Sequence, residues 1–326
     1  MTIDTSLFRG ANVLITGVTG SLGNALSREL LRPEYGVKRL AGMARKWQPM
    51  EALERELNDK RFRAFIGDIR DIERLRTAFR GVDYVFHAAA LKAIHYAEYD
   101  PRETLLSNCN GTSNVLQAAM ECDVKRVMAI SSDKACDPSS SYGASKKMTE
   151  VLAVGYNSIS GAEGTRYAAC RYGNVVRSAG SVIPLFEAQA LTGKLTITNP
   201  KMSRFAITMP QAVEFVIKCM SEMLGGEIFI PKLPSTLVMD LVKAIAPEAE
   251  IELIGLRPAE KMHEAMVSRH ESHRTKELDW AFRIEPSFTF WDSDLTYPGG
   301  SPVGEGWEYN SASAIRLTVD EIKGLL

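Results

Sequence analysis

The stretch Val13-Leu-Ile-Thr-Gly17-Val-Thr-Gly20-Ser-Leu-Gly23 constrains this chain more than any other. The apolar run Asn12–Thr16 reads as a buried strand entering it, and the amphipathic pattern Ser21–Leu31 reads as a helix leaving it. Between the two, Gly17 permits a tight turn, Gly20 lets backbone approach an anion, and Gly23 lets the helix pack closely on a sheet. A pyrophosphate fits the helix N-terminus that such a turn presents. Thr19, Ser21 and Leu22 of the same turn join the glycines as candidate cofactor contacts.

Further strand-like runs follow at Arg39–Ala44, Arg63–Ile66, Tyr84–Ala89, Arg126–Ser131 and Tyr167–Tyr172. Helical patterns lie between them, for example Ile72–Phe79, Thr104–Met120 and Tyr142–Ser158. This alternation predicts an α/β fold, a Rossmann-type doubly wound parallel sheet. After Gly173 the rhythm breaks into short elements punctuated by prolines, which suits a smaller α+β substrate-binding lobe. The helix-then-strand pattern Pro210–Ile230 is expected to return to the main sheet. The expected division is therefore 1–177 with 205–230 for the nucleotide-binding domain, and 178–204 with 231–326 for the second lobe.

At 326 residues the chain can bury a full core, and its net charge of −1 leaves no footprint for nucleic acid or an anionic membrane. Five scattered cysteines read as reduced thiols of a cytoplasmic protein. No signal-peptide pattern opens the sequence, and no apolar run is long enough to span a bilayer.

The end of the second strand bears on the choice of cofactor. An NAD site places a carboxylate there to bond the ribose hydroxyls. This chain has Arg45-Lys46 instead, two cations suited to the 2′-phosphate of NADP. Asp68-Ile69, after the third strand, is placed to border the adenine, and Ala88-Ala89 let backbone pass beneath the cofactor. Lys92 can reach phosphate or substrate, whereas His87 reads as a core histidine.

Tyr142 and Lys146 fall four apart on one helix face. A phenol ionises near pH 10 in water, and an ammonium one turn away would lower that value and let Tyr142 act as a base. The same lysine can hold the nicotinamide ribose. Ser132-Asp133-Lys134 lies at the carboxyl end of the fifth strand, where ligands bind in such sheets. A simple dehydrogenase needs the hydroxyl and the tyrosine but no further acid–base pair. Loss of water beside a new ketone needs a base for the α-proton and an acid for the departing hydroxyl. Lys134 and Asp133 suit those roles, with pKa values drawn toward neutrality by a cleft. His270-x-x-His273 has metal-ligand spacing, but its charged surroundings favour a solvated helix face, and no metal is expected.

With Thr-Gly-x-x-Gly-x-x-Gly followed by Tyr-x3-Lys, the chain resembles the extended short-chain dehydrogenases/reductases. More closely, it resembles the soluble inverting UDP-N-acetylglucosamine 4,6-dehydratases of pseudaminic acid synthesis. Segments carrying this likeness include Gly67–Asp71, His87–Lys92, Ser132–Ala135, Arg171–Val175, Met202–Phe205, Gly225–Lys232, Arg257–Lys261 and Glu308–Ser311. The resemblance implies that Tyr142 deprotonates the 4-hydroxyl, Lys134 takes the C5 proton, and Asp133 protonates the leaving 6-hydroxyl. Lys134 and Tyr142 are both candidates for returning a proton to C5. It further implies that Lys92, Asn174, Val182, Arg204, Arg257 and Glu260 hold the UDP-sugar, and that the protein forms a homo-oligomer.

Departures from the pattern occur at Arg177-Ser178-Ala179, at Ala259 in place of a common glycine, and at Ser132 in place of a common threonine. Competing readings are a retaining dehydratase or a C4 or C5 epimerase. A catalytically dead NADP-sensing protein is a third reading, opposed by the presence of Asp133, Lys134, Tyr142 and Lys146.

Overall fold

The computed structural model describes residues 3–178 and 181–326. Its first six strands are β1 (Asn12–Thr16), β2 (Arg39–Ala44), β3 (Phe62–Ile66), β4 (Tyr84–His87), β5 (Arg126–Ile130) and β6 (Arg166–Cys170). After its first residue, β1 is buried throughout, and so is β5. That is the burial of strands covered on both faces, and it explains their continuous apolar runs. The connecting helices are α1 (Ser21–Leu30), α2 (Trp47–Leu57), α3 (Ile72–Phe79), α4 (Ile94–Tyr99), α5 (Pro101–Thr104), α6 (Gly111–Glu121) and α7 (Ser141–Ser160). Side-chain caps fix three of their starts. The Asp71 carboxylate accepts from the Arg74 N–H, the Asp100 carboxylate from the Glu103 N–H, and the Ser140 hydroxyl from the Gly143 N–H.

The second half supplies β7 (Asn174–Val175), α8 (Val182–Ala190), β8 (Lys194–Ile197), β9 (Ser203–Ile207), α9 (Met209–Glu222), β10 (Ile228–Pro231) and β11 (Ser235–Leu237). After these come α10 (Val238–Ile245), β12 (Glu250–Leu253), β13 (Ala265–Val267), β14 (Thr275–Glu277), β15 (Ala281–Ile284), β16 (Ser301–Pro302), β17 (Tyr309–Asn310) and α11 (Val319–Leu325).

One ten-stranded sheet runs β16-β14-β15-β10-β6-β5-β4-β1-β2-β3. From β3 through β10 every pairing is parallel, whereas β15, β14 and β16 add antiparallel strands at the far edge. The return of α9 and β10 beside β6 agrees with the helix-then-strand pattern. The sequence-based boundary gave 231–326 wholly to the second lobe, and here the sheet corrects it, because β14, β15 and β16 belong to the main sheet. A hairpin needs only a short turn, and buried Ala281, Phe282 and Ile284 gain cover by closing the exposed edge of β10.

A separate small core packs Ile183, Phe186, Leu195, Ile197, Met202, Val238, Leu241, Val242 and Ile322, beside the parallel pair β8–β12. No described helix is long and apolar enough to cross a membrane.

The expected helix Thr104–Met120 is interrupted: Leu105–Asn110 is π-helical, and α6 begins only at Gly111. Within that turn Asn108 bonds both backbone groups of Leu91, accepting from its N–H at 2.7 Å and donating to its carbonyl at 2.9 Å. The wider turn thus ties the loop after β4 to the sheet's helical layer. β1 pairs with β2 on one side and β4 on the other, which places the switch in strand order, and the crevice it opens, beside Gly17.

Candidate active site

A cleft of about 440 Å³ lies over the carboxyl ends of β1, β2, β4 and β5. Gly17, Thr19, Gly20, Ser21, Leu22, Gly23, Arg45, Lys46, Asp68, Ile69, Ala88, Ala89, Lys92, Tyr142 and Lys146 all line it, and so does Ser132. Every candidate cofactor residue is therefore brought to one surface.

The glycine turn is built as the sequence requires. Gly17 has φ +70°, and a Cβ there would stand 2.7 Å from the Ala89 backbone. A Cβ on Gly23 would stand 2.5 Å from the Gly17 carbonyl. Gly20 caps α1 without a side-chain hydrogen bond, and the positive end of the helix dipole there favours an anion. The missing side chains let the turn close tightly on Ala89 and α1, a form that suits a dinucleotide pyrophosphate. At the end of β2, Arg45 and Lys46 are exposed on the cleft rim. Asp68 pairs with Arg70 at 2.7 Å, and although burial opposes ionisation, Arg70 holds its pKa below the ordinary value.

His87 is the core histidine that its context implied. Its Nδ1 lies 2.7 Å from Thr16 Oγ1 and its Nε2 3.0 Å from Thr112 Oγ1, and burial pushes its pKa down to about 3. His270 and His273 stand exposed on a short 3₁₀ turn. Among the described residues no group of histidine, cysteine or carboxylate side chains is placed to hold a metal.

Around Ser132 the acid–base groups converge, although Asp133 and Lys134 do not themselves line the cleft. Asp133 is buried, and its Oδ1 accepts from the Ser132 hydroxyl at 2.7 Å and from the Lys134 ammonium at 3.1 Å. The second lobe contributes Glu264, whose Oε1 lies 3.5 Å from Lys134 Nζ. Burial opposes the Lys134 charge, but these two carboxylates outweigh it and raise the pKa of the ammonium. This corrects the expectation of a value drawn toward neutrality: the lysine is enclosed by counter-charges as well as by protein.

The partnership between Tyr142 and Lys146 also differs from expectation. Lys146 Nζ donates to the Ile130 carbonyl, and burial pulls its pKa down to about 8. Burial raises the Tyr142 phenol, and the cation that counters this is Lys134, aided by the Ser132 hydroxyl. The helical spacing put Lys146 on the right face, but its reach to the strand carbonyl turns the ammonium toward β5.

The candidate substrate residues are only partly gathered. Arg204 on β9 lies 3.6 Å from Glu260 and 3.9 Å from Glu264, so it joins the edge of the Lys134 cluster. Arg257 is exposed, and its backbone N–H bonds Glu260 at 3.2 Å. Asn174 and Val182 are exposed and do not line the cleft, although Val175 and Ser178 do. Two of the departures noted above sit in left-handed backbone, Arg177 at φ +56° and Ala259 at φ +63°. Ala179 lies outside the described residues.

Three contributors escaped the sequence reading. Glu264 gave no signal, being one carboxylate among many in a charged stretch. Asn108 was hidden inside an apparent helix, where its poor propensity was the only hint. Glu150, one turn beyond Lys146, could have been found from spacing. It accepts from the Ser131 hydroxyl at 2.6 Å and pairs with fully buried Arg171 at 2.7 Å, and Arg171 also pairs with Glu271 at 3.0 Å. This strut braces the strand ends that carry Ser131 and Asp133 against the turn after β13.

Comparison with known proteins agrees with this arrangement. The polysaccharide biosynthesis protein family matches residues 13–286. UDP-N-acetylglucosamine 4,6-dehydratase (inverting) of Campylobacter jejuni is 41% identical over 313 residues, covering 94% of this chain and 93% of that protein. UDP-glucose 4-epimerase of Rickettsia felis is 36% identical over 332 residues, covering 98% and 96% respectively. The crystal structure of Pen from Bacillus thuringiensis superposes with a TM-score of 0.89 at 35% identity, covering 98% of this chain and 97% of that one. By its sequence, its fold and its cleft, the chain belongs to this polysaccharide biosynthesis protein family, within the extended short-chain dehydrogenases/reductases.

Proposed function

We propose that this protein is a lyase, a 4,6-dehydratase that converts UDP-N-acetylglucosamine with inversion at C5 and uses NADP. The observation that carries this reading is the Asp133–Lys134 pair, enclosed beside Tyr142 at the end of β5. The 41% identity to the Campylobacter jejuni dehydratase supports it along nearly the whole chain. Arg45 and Lys46 at the rim favour NADP over NAD, because two cations match a 2′-phosphate and no carboxylate stands there to meet ribose hydroxyls.

Bound NADP supplies a hydride acceptor for C4 of the sugar and, after water is lost, a donor for C6. Tyr142 takes the proton of the 4-hydroxyl while the Lys134 charge favours the phenolate. Lys146, which donates to the Ile130 carbonyl, would hold the ribose. The 4-ketone acidifies C5, and the Lys134 amine then removes the C5 proton as Asp133 protonates the departing 6-hydroxyl. Asp133, 3.1 Å away, and Glu264 raise the Lys134 pKa and so favour its ammonium form. A proton must therefore cross from Lys134 to Asp133 before elimination. The orphaned Asp133 Oδ2, buried without a hydrogen-bond partner among the described residues, suits a substrate hydroxyl. Arg204, Arg257 and Glu260, with Asn174, Val182 and Lys92, would hold the UDP-sugar. As C6 regains hydride, C5 takes a proton on the opposite face, from the Lys134 ammonium or the Tyr142 hydroxyl, and the product is UDP-2-acetamido-2,6-dideoxy-β-L-arabino-hexos-4-ulose, a precursor for pseudaminic acid or a related glycan.

We further propose a cytoplasmic homo-oligomer. Ala144, Met148, Val151, Gly155 and Ile159 form an exposed apolar stripe along α7, which supports burial against a second copy. The likeness to the Rickettsia felis epimerase favours a second reading, 4-epimerisation, but that reaction leaves Asp133 and Lys134 without a task. Incubation with UDP-N-acetylglucosamine in D₂O, followed by NMR, tests the proposal. Loss of water with deuterium at C5 is expected, and Lys134→Ala should stop C5 exchange while keeping NADP binding. Retention of the 6-hydroxyl with a changed configuration at C4 would replace the dehydratase by the epimerase.

A further inference from the structure

Lys134 is faced from four directions: by Asp133 on its own turn, by Glu264 from the segment before β13, by Arg204 from β9 and by Tyr142 from α7. Glu260 lies behind Arg204 at 3.6 Å, and Lys261 donates to the Cys136 carbonyl at 2.8 Å, which clamps this segment to the Asp133 turn. Glu264 itself is 3% exposed. Its backbone is held by Ser311, whose hydroxyl accepts from the Glu264 N–H at 2.9 Å and whose N–H donates to the Glu264 carbonyl at 2.8 Å. One carboxylate oxygen, Oε2, is buried without a hydrogen-bond partner among the described residues. A carboxylate kept only for packing would have both oxygens satisfied. This one instead places its other oxygen between Lys134 and Arg204.

We propose that Glu264 is a positioning residue that fixes the proton on Lys134 in the open site. Lys134 thereby serves first as the cation beside Tyr142 and only afterwards as the base. The inference rests on the dehydratase reading and deepens it. In the exchange between the two roles an Nζ–H bond of Lys134 breaks, its electron pair stays on nitrogen, and an O–H bond forms on Asp133 Oδ1. The pair's net charge stays zero and no other reactant is needed.

The test is a titration of the ligand-free full chain with ¹³C-labelled lysine side chains, in wild type, E264Q and E264D, with K134R assigning the Lys134 signal. In E264Q the Lys134 signal should titrate about 1–3 pH units lower than in wild type. The shorter carboxylate of E264D should retain part of the wild-type value. The alkaline limb of kcat/KM for UDP-N-acetylglucosamine should fall with the titration. A folded E264Q whose Lys134 titrates as in wild type overturns the proposal, even if it melts at a lower temperature. Should E264Q not fold, E264D with an unmoved Lys134 signal overturns it as well. If wild type turns over no nucleotide sugar, the dehydratase reading fails on that observation, whereas an active wild type with an unmoved titration fails Glu264 alone.

Discussion

Lys146→Met separates stability from function at this site. Lys146 is 6% exposed, and burial lowers its pKa from 10.5 to about 8. At about 1.4 kcal/mol per unit, the charged lysine costs the folded state about 3 kcal/mol. The folded value lies below the unfolded one, so between about pH 8 and 10.5 the unfolded chain binds more protons and the native state gains stability as pH rises. Below about pH 8 the whole penalty is present, and above about pH 10.5 it is gone. Methionine fills a similar volume without the charge, but it forfeits the bond to the Ile130 carbonyl, worth about 1 kcal/mol. The variant should therefore be about 2 kcal/mol more stable than wild type at neutral pH. It should be slightly less stable above about pH 10.5. Urea unfolding of ligand-free protein at both pH values measures the difference, with turnover abolished in parallel. A variant no more stable than wild type at neutral pH, or a gain that persists undiminished in alkali, refutes the reasoning.

Two other perturbations address the cofactor cleft. Arg45→Asp removes a cation from the rim and offers a carboxylate to ribose hydroxyls, so NADP should bind at least about tenfold more weakly while NAD binding holds or improves, as read by calorimetric titration. Gly23→Ala would place a methyl 2.5 Å from the Gly17 carbonyl. It should cost about 1–3 kcal/mol in denaturant unfolding and weaken both dinucleotides alike, and an unperturbed midpoint would show that the turn has slack.

Local chemistry was legible wherever one residue type answers one local demand. The glycines of Gly17–Gly23, the buried runs of β1 and β5, and the face shared by Tyr142 and Lys146 all follow from backbone geometry and periodicity. The sequence by itself therefore determined the parallel sheet, the dinucleotide turn and the convergence of Ser132, Asp133, Lys134 and Tyr142 at one strand end. Only the tertiary structure decided how charge is distributed there. It brought Glu264 across from the second lobe to Lys134, turned Lys146 toward the Ile130 carbonyl, and folded β14–β16 back onto β10. Those outcomes depend on which distant groups share a dehydrated space. Coulomb energy there depends on distance and on exclusion of water, and neither is written in the spacing of residues along a chain.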